Sequence, residues 1–446
     1  MELMTPNPPR DPRRPGRDTG ETGRPQPAPQ AVRPRAQMTR IERIRAKRRA
    51  RRMRAAAVCV LVLAGVLAYF TGLYGASLSL LGDVYDSVTI ALTPGPGFPA
   101  ELELTGFVSA KPFAGGLVAV GDQDVVILSA NGNEVRRIQH TYARPAVAAG
   151  NTRLCVYNRA GTELVVESRS KNLFQHTTQE PIQLCAMSPN GTLAVFTQGG
   201  LTVYDPMFTD IFQFKTTETP TAMAFARDNR QFAVACLAGV DGALGTTVYL
   251  FTTDPDAPAQ ATATIQNTDG MALRIFYPDN SRVLVVYDTA CALYSAADGS
   301  QIARYEYGGR RLQSAELSDG GNDLVLLFGD GTHSSQTALA VLETEALATV
   351  GTARVGRTAK GLAATRTAAY VLTSDGALCY SLSGELFDEM QVSGRTLALV
   401  AADEPLLIVE GQVQQLPVPG RASRRSTSSA AASSAGAGAS ALGQAA

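Results

Sequence analysis

From about residue 101 to 419 the chain alternates short apolar runs with turn-forming residues. The runs span four to seven positions and are rich in Val, Leu, Ala and Tyr. They are too short for core helices, and no amphipathic helical period runs through them, so they predict short β-strands. One unit recurs: an apolar run, a turn containing Asn, Asp or Gly, then a second apolar run. Clear copies are QLCAMSPNGTLAVF, AMAFARDNRQFAVACL, LRIFYPDNSRVLVVYD and SAELSDGGNDLVLLFG. Weaker copies are FVSAKPFAGGLVAV, AVAAGNTRLCVYN, GLAATRTAAYVLTS and TLALVAADEPLLIVEG. The eight turns fall near 114, 150, 190, 229, 280, 320, 366 and 403, a period of about 41 residues.

A second hairpin follows in seven of these units, with turns expected at Gly132, Gly161, Gly299 and Gly384 in the clearest cases. Four short strands repeating every 40–45 residues or so are the signature of a β-propeller blade. The eighth unit offers TLALVA, PLLIVE and QVQQLPV but no fourth strand. The segment ELELTG at 101–106 is predicted to supply it from the other end of the chain. The pattern therefore predicts an all-β propeller of eight four-stranded blades over 101–419. Seven blades is the alternative, should one weak repeat be miscounted.

The preceding chain is of another kind. Residues 55–82 carry no charge, and about 20 apolar residues span a bilayer core. A transmembrane helix is expected at 55–74. A cleaved signal peptide fits less well, because the apolar core is too long and Tyr74 occupies the −3 position of the best small-residue site. Between Arg33 and Arg54 stand eleven basic residues against one acid, Glu42, and the next basic residue is Lys111. The positive-inside rule then places 1–54 in the cytoplasm and the propeller outside. The same arginines would attract anionic lipid headgroups. Residues 1–37 hold nine Pro and almost no aliphatic side chains, a composition that predicts disorder. Met38 offers a second start for translation. Residues 75–100 read as a linker, and the Ser/Ala/Gly tail at 420–446 as disordered.

The formal net charge is zero, but residues 1–54 hold 16 basic and 5 acidic side chains, whereas 101–419 holds 21 and 33. An acidic domain is a poor nucleic-acid binder. It would also repel anionic wall polymers at long range, which favours a protein partner. Trp is absent, so blade signatures that end in Trp are excluded. Cys155, Cys185, Cys236, Cys291 and Cys379 each sit inside an apolar run and read as small core residues. Cys59 lies in the predicted span. His140, His176 and His333 are far apart and near no Cys, so no zinc site is expected. The SxxK match Ser168–Lys171 lies on a predicted edge hairpin rather than opening a helix. Asp254 with Asp256, and Asp319 with Asp323, lack the Glu that would close a calcium loop. No catalytic, cofactor-binding or metal-ligating residue is assigned, and no cofactor is expected.

The order of basic segment, single span, LTPGPGFPAELEL and the first blade FVSAKPFAGGLVAVGDQDVVILSANGNEV resembles the family DUF5711 of Gram-positive bacteria. The resemblance runs over roughly 40–418. It implies a membrane-tethered propeller at the cell surface, makes disulfides less expected, and carries no site residues. The reading that follows is a membrane-anchored, extracytoplasmic protein-binding scaffold that presents one propeller face to an unidentified protein partner. The alternatives are an extracytoplasmic sensor and a lyase or hydrolase acting in the central channel. The side chains lining that channel discriminate: charged pairs with His favour chemistry, apolar walls favour binding.

Overall fold

The computed structural model describes residues 95–419, apart from 241, 255 and 269. Strands are arranged as eight four-stranded antiparallel sheets. Blades 1 to 7 are built from consecutive strands over 109–139, 145–177, 182–214, 219–267, 272–306, 312–354 and 361–391. The eight-blade expectation therefore holds, and the seven-blade alternative does not. Blade 8 joins 396–415 to a short strand, Ala100–Glu101, from the other end of the propeller sequence.

Why these residues form blades is visible in the burial of one sheet. In blade 1 the second and third strands, Gly116–Val120 and Asp124–Leu128, are buried at every position, whereas the outermost strand, Glu134–Gln139, is not. A middle strand has a neighbouring blade on each face, so both side-chain directions must be apolar. That is why the sequence shows continuous apolar runs rather than strict alternation. The core is accordingly divided among blade interfaces. One cluster around Leu117, Val126 and Ile408 joins blades 8 and 1. Another, around Val283, Val285 and Val248, joins blades 4 and 5. A third, around Leu407, Tyr370 and Cys379, joins blades 7 and 8.

The first strands of neighbouring blades approach one another around the centre and line the channel. Successive strands reverse direction. The turns after first and third strands therefore share one face, here the mouth face, and the remaining connections share the opposite face. Blade 4 departs from the pattern. Its middle strands, Gln231–Val240 and Ala243–Thr252, are ten residues each, and their hairpin runs past the Thr219–Leu237 pairing onto the opposite face.

Two expectations need correction. The closing strand is not 101–106: Ala100 pairs with Val413 and Glu101 with Gln412, and the Leu102 amide donates to the Gly411 carbonyl at 3.0 Å. The chain then leaves the sheet because Gly106 takes a positive φ of 63° and the Asp122 amide donates to the Thr105 carbonyl, steering the backbone inward to blade 1. Gly161 does not mark a second hairpin either. It lies between the second and third strands of blade 2, Arg153–Asn158 and Glu163–Ser168. The turn sought there is 169–171, which contains no glycine to announce it.

Among the described residues no helix is long and apolar enough to cross a membrane. The predicted span at 55–74, the basic segment at 1–54 and the tail at 420–446 lie outside the described residues.

Candidate functional site at the channel and its mouth

The turns that end the first strands surround a cavity of about 1160 Å³ on the mouth face. Pro112 and Phe113 of blade 1, Met187 of blade 3 and Phe225 of blade 4 give it apolar walls. Charges come from the turns: Asp319 of blade 6, Arg366 of blade 7, and Asp403 and Glu404 of blade 8. Arg227 reaches from blade 4 to blade 6, donating to the Asp319 and Gly320 carbonyls at 3.2 and 3.3 Å. Burial pushes the Asp319 carboxyl above the usual carboxylate range; Arg366 and Arg227 oppose this, while Asp403 adds to it. The blade 1 turn lies against Asp403 with glycine at residue 115, where φ is +81°. A Cβ there would lie 2.5 Å from the Asp403 carboxylate.

Below the mouth, three charged side chains occupy first strands that line the channel. Lys111 is on Ser109–Phe113 of blade 1 and Arg274 on Ala272–Phe276 of blade 5, which faces it across the ring. Glu316 is on Leu312–Leu317 of blade 6. Lys111, Arg274 and, in blade 3, Cys185 each stand two residues before the end of their strand, and Glu316 stands one residue before. They therefore sit at nearly one depth. Arg274 pairs with Glu316 at 3.3 Å.

Water reaches these groups along the channel, yet protein encloses them on all sides. Burial therefore dominates their electrostatics. Lys111 is held below the usual lysine range, first by burial and then by the Arg274 charge, with Glu316 and Cys185 opposing. Glu316 is pushed above the carboxylate range by burial, opposed by Arg274 and Lys111.

A lysine whose folded pKa is depressed destabilises the fold while charged, and that cost disappears as pH rises from the depressed value toward the unfolded one. Lys111→Met should therefore raise the thermal unfolding midpoint near pH 7, by a margin that shrinks in alkaline buffer. A midpoint that falls at neutral pH would show that the ammonium is a stabilising partner instead.

The three histidines do not converge on this site. His176 is on the outermost strand of blade 2, Asn172–Thr177, stacked on Phe174 at 5.6 Å. His140 directly follows the outermost strand of blade 1 and stacks on Tyr142 at 5.2 Å. His333 lies in the blade 6 connection on the opposite face, where its Nδ1 is 2.6 Å from Asp330. The five propeller cysteines are buried and free, and the Cys155 thiol of blade 2 is within hydrogen-bonding reach of Cys185 in blade 3. Among the described residues no group of three or more metal-ligating side chains occurs. The channel is thus charged but without His, a combination the sequence criterion did not foresee. Lys111, Arg274 and Glu316 each interrupt the first run of a quoted repeat, so a signal was present. What the sequence lacked was the ring order that sets blade 1 across from blades 5 and 6.

Residues 100–402 match the profile of the family of unknown function DUF5711. The chain belongs to this family. No curated protein matches it. Among solved structures, the C-terminal WD40 domain of Sif2 is similar with a TM-score of 0.55 at 13% identity, covering 72% of this chain and 100% of that one. At that identity the likeness shows the fold alone. BamB from Moraxella catarrhalis has a TM-score of 0.49 at 12% identity, covering 70% and 100%. Hsv2 from Kluyveromyces lactis has 0.48 at 9%, covering 65% and 99%. The match begins at Ala100, so in this DUF5711 member the closing strand falls within the matched region.

Proposed function

We propose that the protein is a single-pass, membrane-anchored propeller, held outside the cell with a cytoplasmic N-terminus, that binds a protein partner through its mouth face. The observation that carries the reading is an apolar rim. Ile302, Val350 and Leu386 each stand at or next to the start of the outermost strand of blades 5, 6 and 7, and each is about half exposed. Phe387 adjoins them. Strand direction puts these positions toward the mouth face, at the outer edge of the ring. Isolated exposed apolar residues need no explanation, whereas their recurrence at the same edge of three adjacent blades fits a protein interface. The arginines crowded before the predicted span support the orientation. The N-terminal chain also arrives on this face, where the Gly97 amide donates to the Asn131 carbonyl in a blade 1 turn.

A triple variant, Ile302→Asp, Val350→Asp and Leu386→Asp, tests it. In the native cell it should accumulate normally, because none of the three is in the core, and should reproduce the phenotype of the null mutant. A fully functional triple variant would remove the rim from the account.

A further inference from the structure

We propose that the central channel binds a small oxyanion, a carboxylate or phosphate group, held between Lys111 of blade 1 and Arg274 of blade 5. The first ground is charge count at one depth. Two cations share the level with one anion, in a domain that as a whole carries 33 acids against 21 bases. Local positive excess here runs against the domain's overall sign.

The second ground is unused donor capacity. The Lys111 ammonium has no ion pair or hydrogen bond among the described residues. Arg274 carries five N–H donors and meets Glu316 through one contact at 3.3 Å. That is longer than the roughly 2.7–2.9 Å of a charge-assisted hydrogen bond. Its side chain is about half exposed to the channel, 53% against 30% for Glu316, so donors remain free to point inward.

The third ground is the surroundings. First-strand residues near this depth in other blades are Val147, Cys185, Met223, Leu362 and Leu399, which pack into the clusters between blades. None offers a strong competing donor or acceptor, and apolar surroundings strengthen a charge-assisted contact. A lysine left unpaired in such surroundings is costly. An anion between the two cations would offset that cost.

Access and size follow from the same geometry. The mouth cavity begins at Pro112 and Phe113, immediately after Lys111. A small anion can therefore descend to the site. The Asp319, Asp403 and Glu404 carboxylates at the mouth oppose entry in proportion to charge, so a long polyanion is repelled far more than a small anion.

The test uses the full chain in detergent, titrated calorimetrically with inorganic phosphate and, separately, malonate, at constant ionic strength set with chloride. The basic segment at 1–54 also attracts anions, so the comparison is between variants that leave it intact. Lys111→Met should weaken the saturable phase by roughly tenfold or more, the scale of losing one charge-assisted hydrogen bond. Lys111→Arg should retain it. Arg274→Lys, which keeps the charge beside Glu316 and guards against a folding failure, should weaken it less than Lys111→Met. Whichever probe binds more tightly identifies the oxyanion class. Equal affinity in the wild type and Lys111→Met for both probes would overturn the proposal, as would the absence of any saturable phase in the wild type. Failure here leaves the protein-binding rim untouched, because the two surfaces share no residue.

Discussion

Removing residues 95–106 should leave a domain that no longer unfolds as a single cooperative unit. The closing strand is only Ala100–Glu101, but it brings Leu102 with it. Leu102 is 4% exposed and packs with Leu117, Ala119, Ile408 and Val413 between blades 8 and 1. Deletion withdraws that side chain and Ala100, and exposes the edge of Gln412–Gln415. Exposed edges invite pairing with other chains. Leu102→Ala alone should cost about 2–5 kcal/mol, the range for truncating a buried leucine. Glu101→Ala should cost little, since that side chain is exposed. Urea denaturation followed by tyrosine fluorescence measures both. Identical midpoints for Leu102→Ala and the wild type would mean that the ring closes by other contacts.

Arg153→Ala should be comparably damaging. Arg153 is among the largest fully buried side chains, at 1% exposure. It begins the second strand of blade 2 and ties that blade to blade 3. Its Nη1 donates to the Pro206 carbonyl, and its guanidinium lies 5.8 Å from the centroid of the Phe208 ring. Its stem passes Gly191, where a Cβ would come within 2.9 Å of the Arg153 Cδ and where φ is +94°. Truncation to Ala leaves the Pro206 carbonyl without this donor and opens a cavity between blades. The two effects together should cost about 3–5 kcal/mol. Arg153→Met keeps the stem and loses the donor, so it should cost about 1–3 kcal/mol. The order of the two variants in denaturant is the check. Equal losses would assign the whole effect to charge rather than packing.

The legibility of this fold in its sequence has a physical basis. Turns near 114, 190, 280 and 403 are all found between first and second strands, because two-sided burial makes the middle strands of each blade apolar throughout. The exposed outermost strands carry weaker patterns, and it is there that Gly161 misled: the blade 2 turn at 169–171 uses Arg169, Ser170 and Lys171 instead. Its Arg169 donates to the Ala114 carbonyl of blade 1, a contact between blades that local sequence cannot show. The candidate site was less legible for a related reason. Lys111 and Arg274 are 163 positions apart, and only the closed ring brings their charges together. The rim at Ile302, Val350 and Leu386 was missed because single apolar residues at the start of polar strands carry no periodic signal.

The most direct test of the central claim joins membrane sidedness to the binding face. Three variants with one added cysteine each, Ala46→Cys, Leu244→Cys and Val350→Cys, would be treated in intact cells with a membrane-impermeant thiol reagent bearing a photo-crosslinker. The propeller's own cysteines are buried and stay silent. Position 244 is 73% exposed at the tip of the blade 4 hairpin on the opposite face, and position 350 lies on the rim. The account predicts labelling at 244 and 350 but not at 46, with crosslinks to a discrete protein partner from 350 and none from 244. Labelling at 46, or crosslinks from 244 as strong as those from 350, would contradict it.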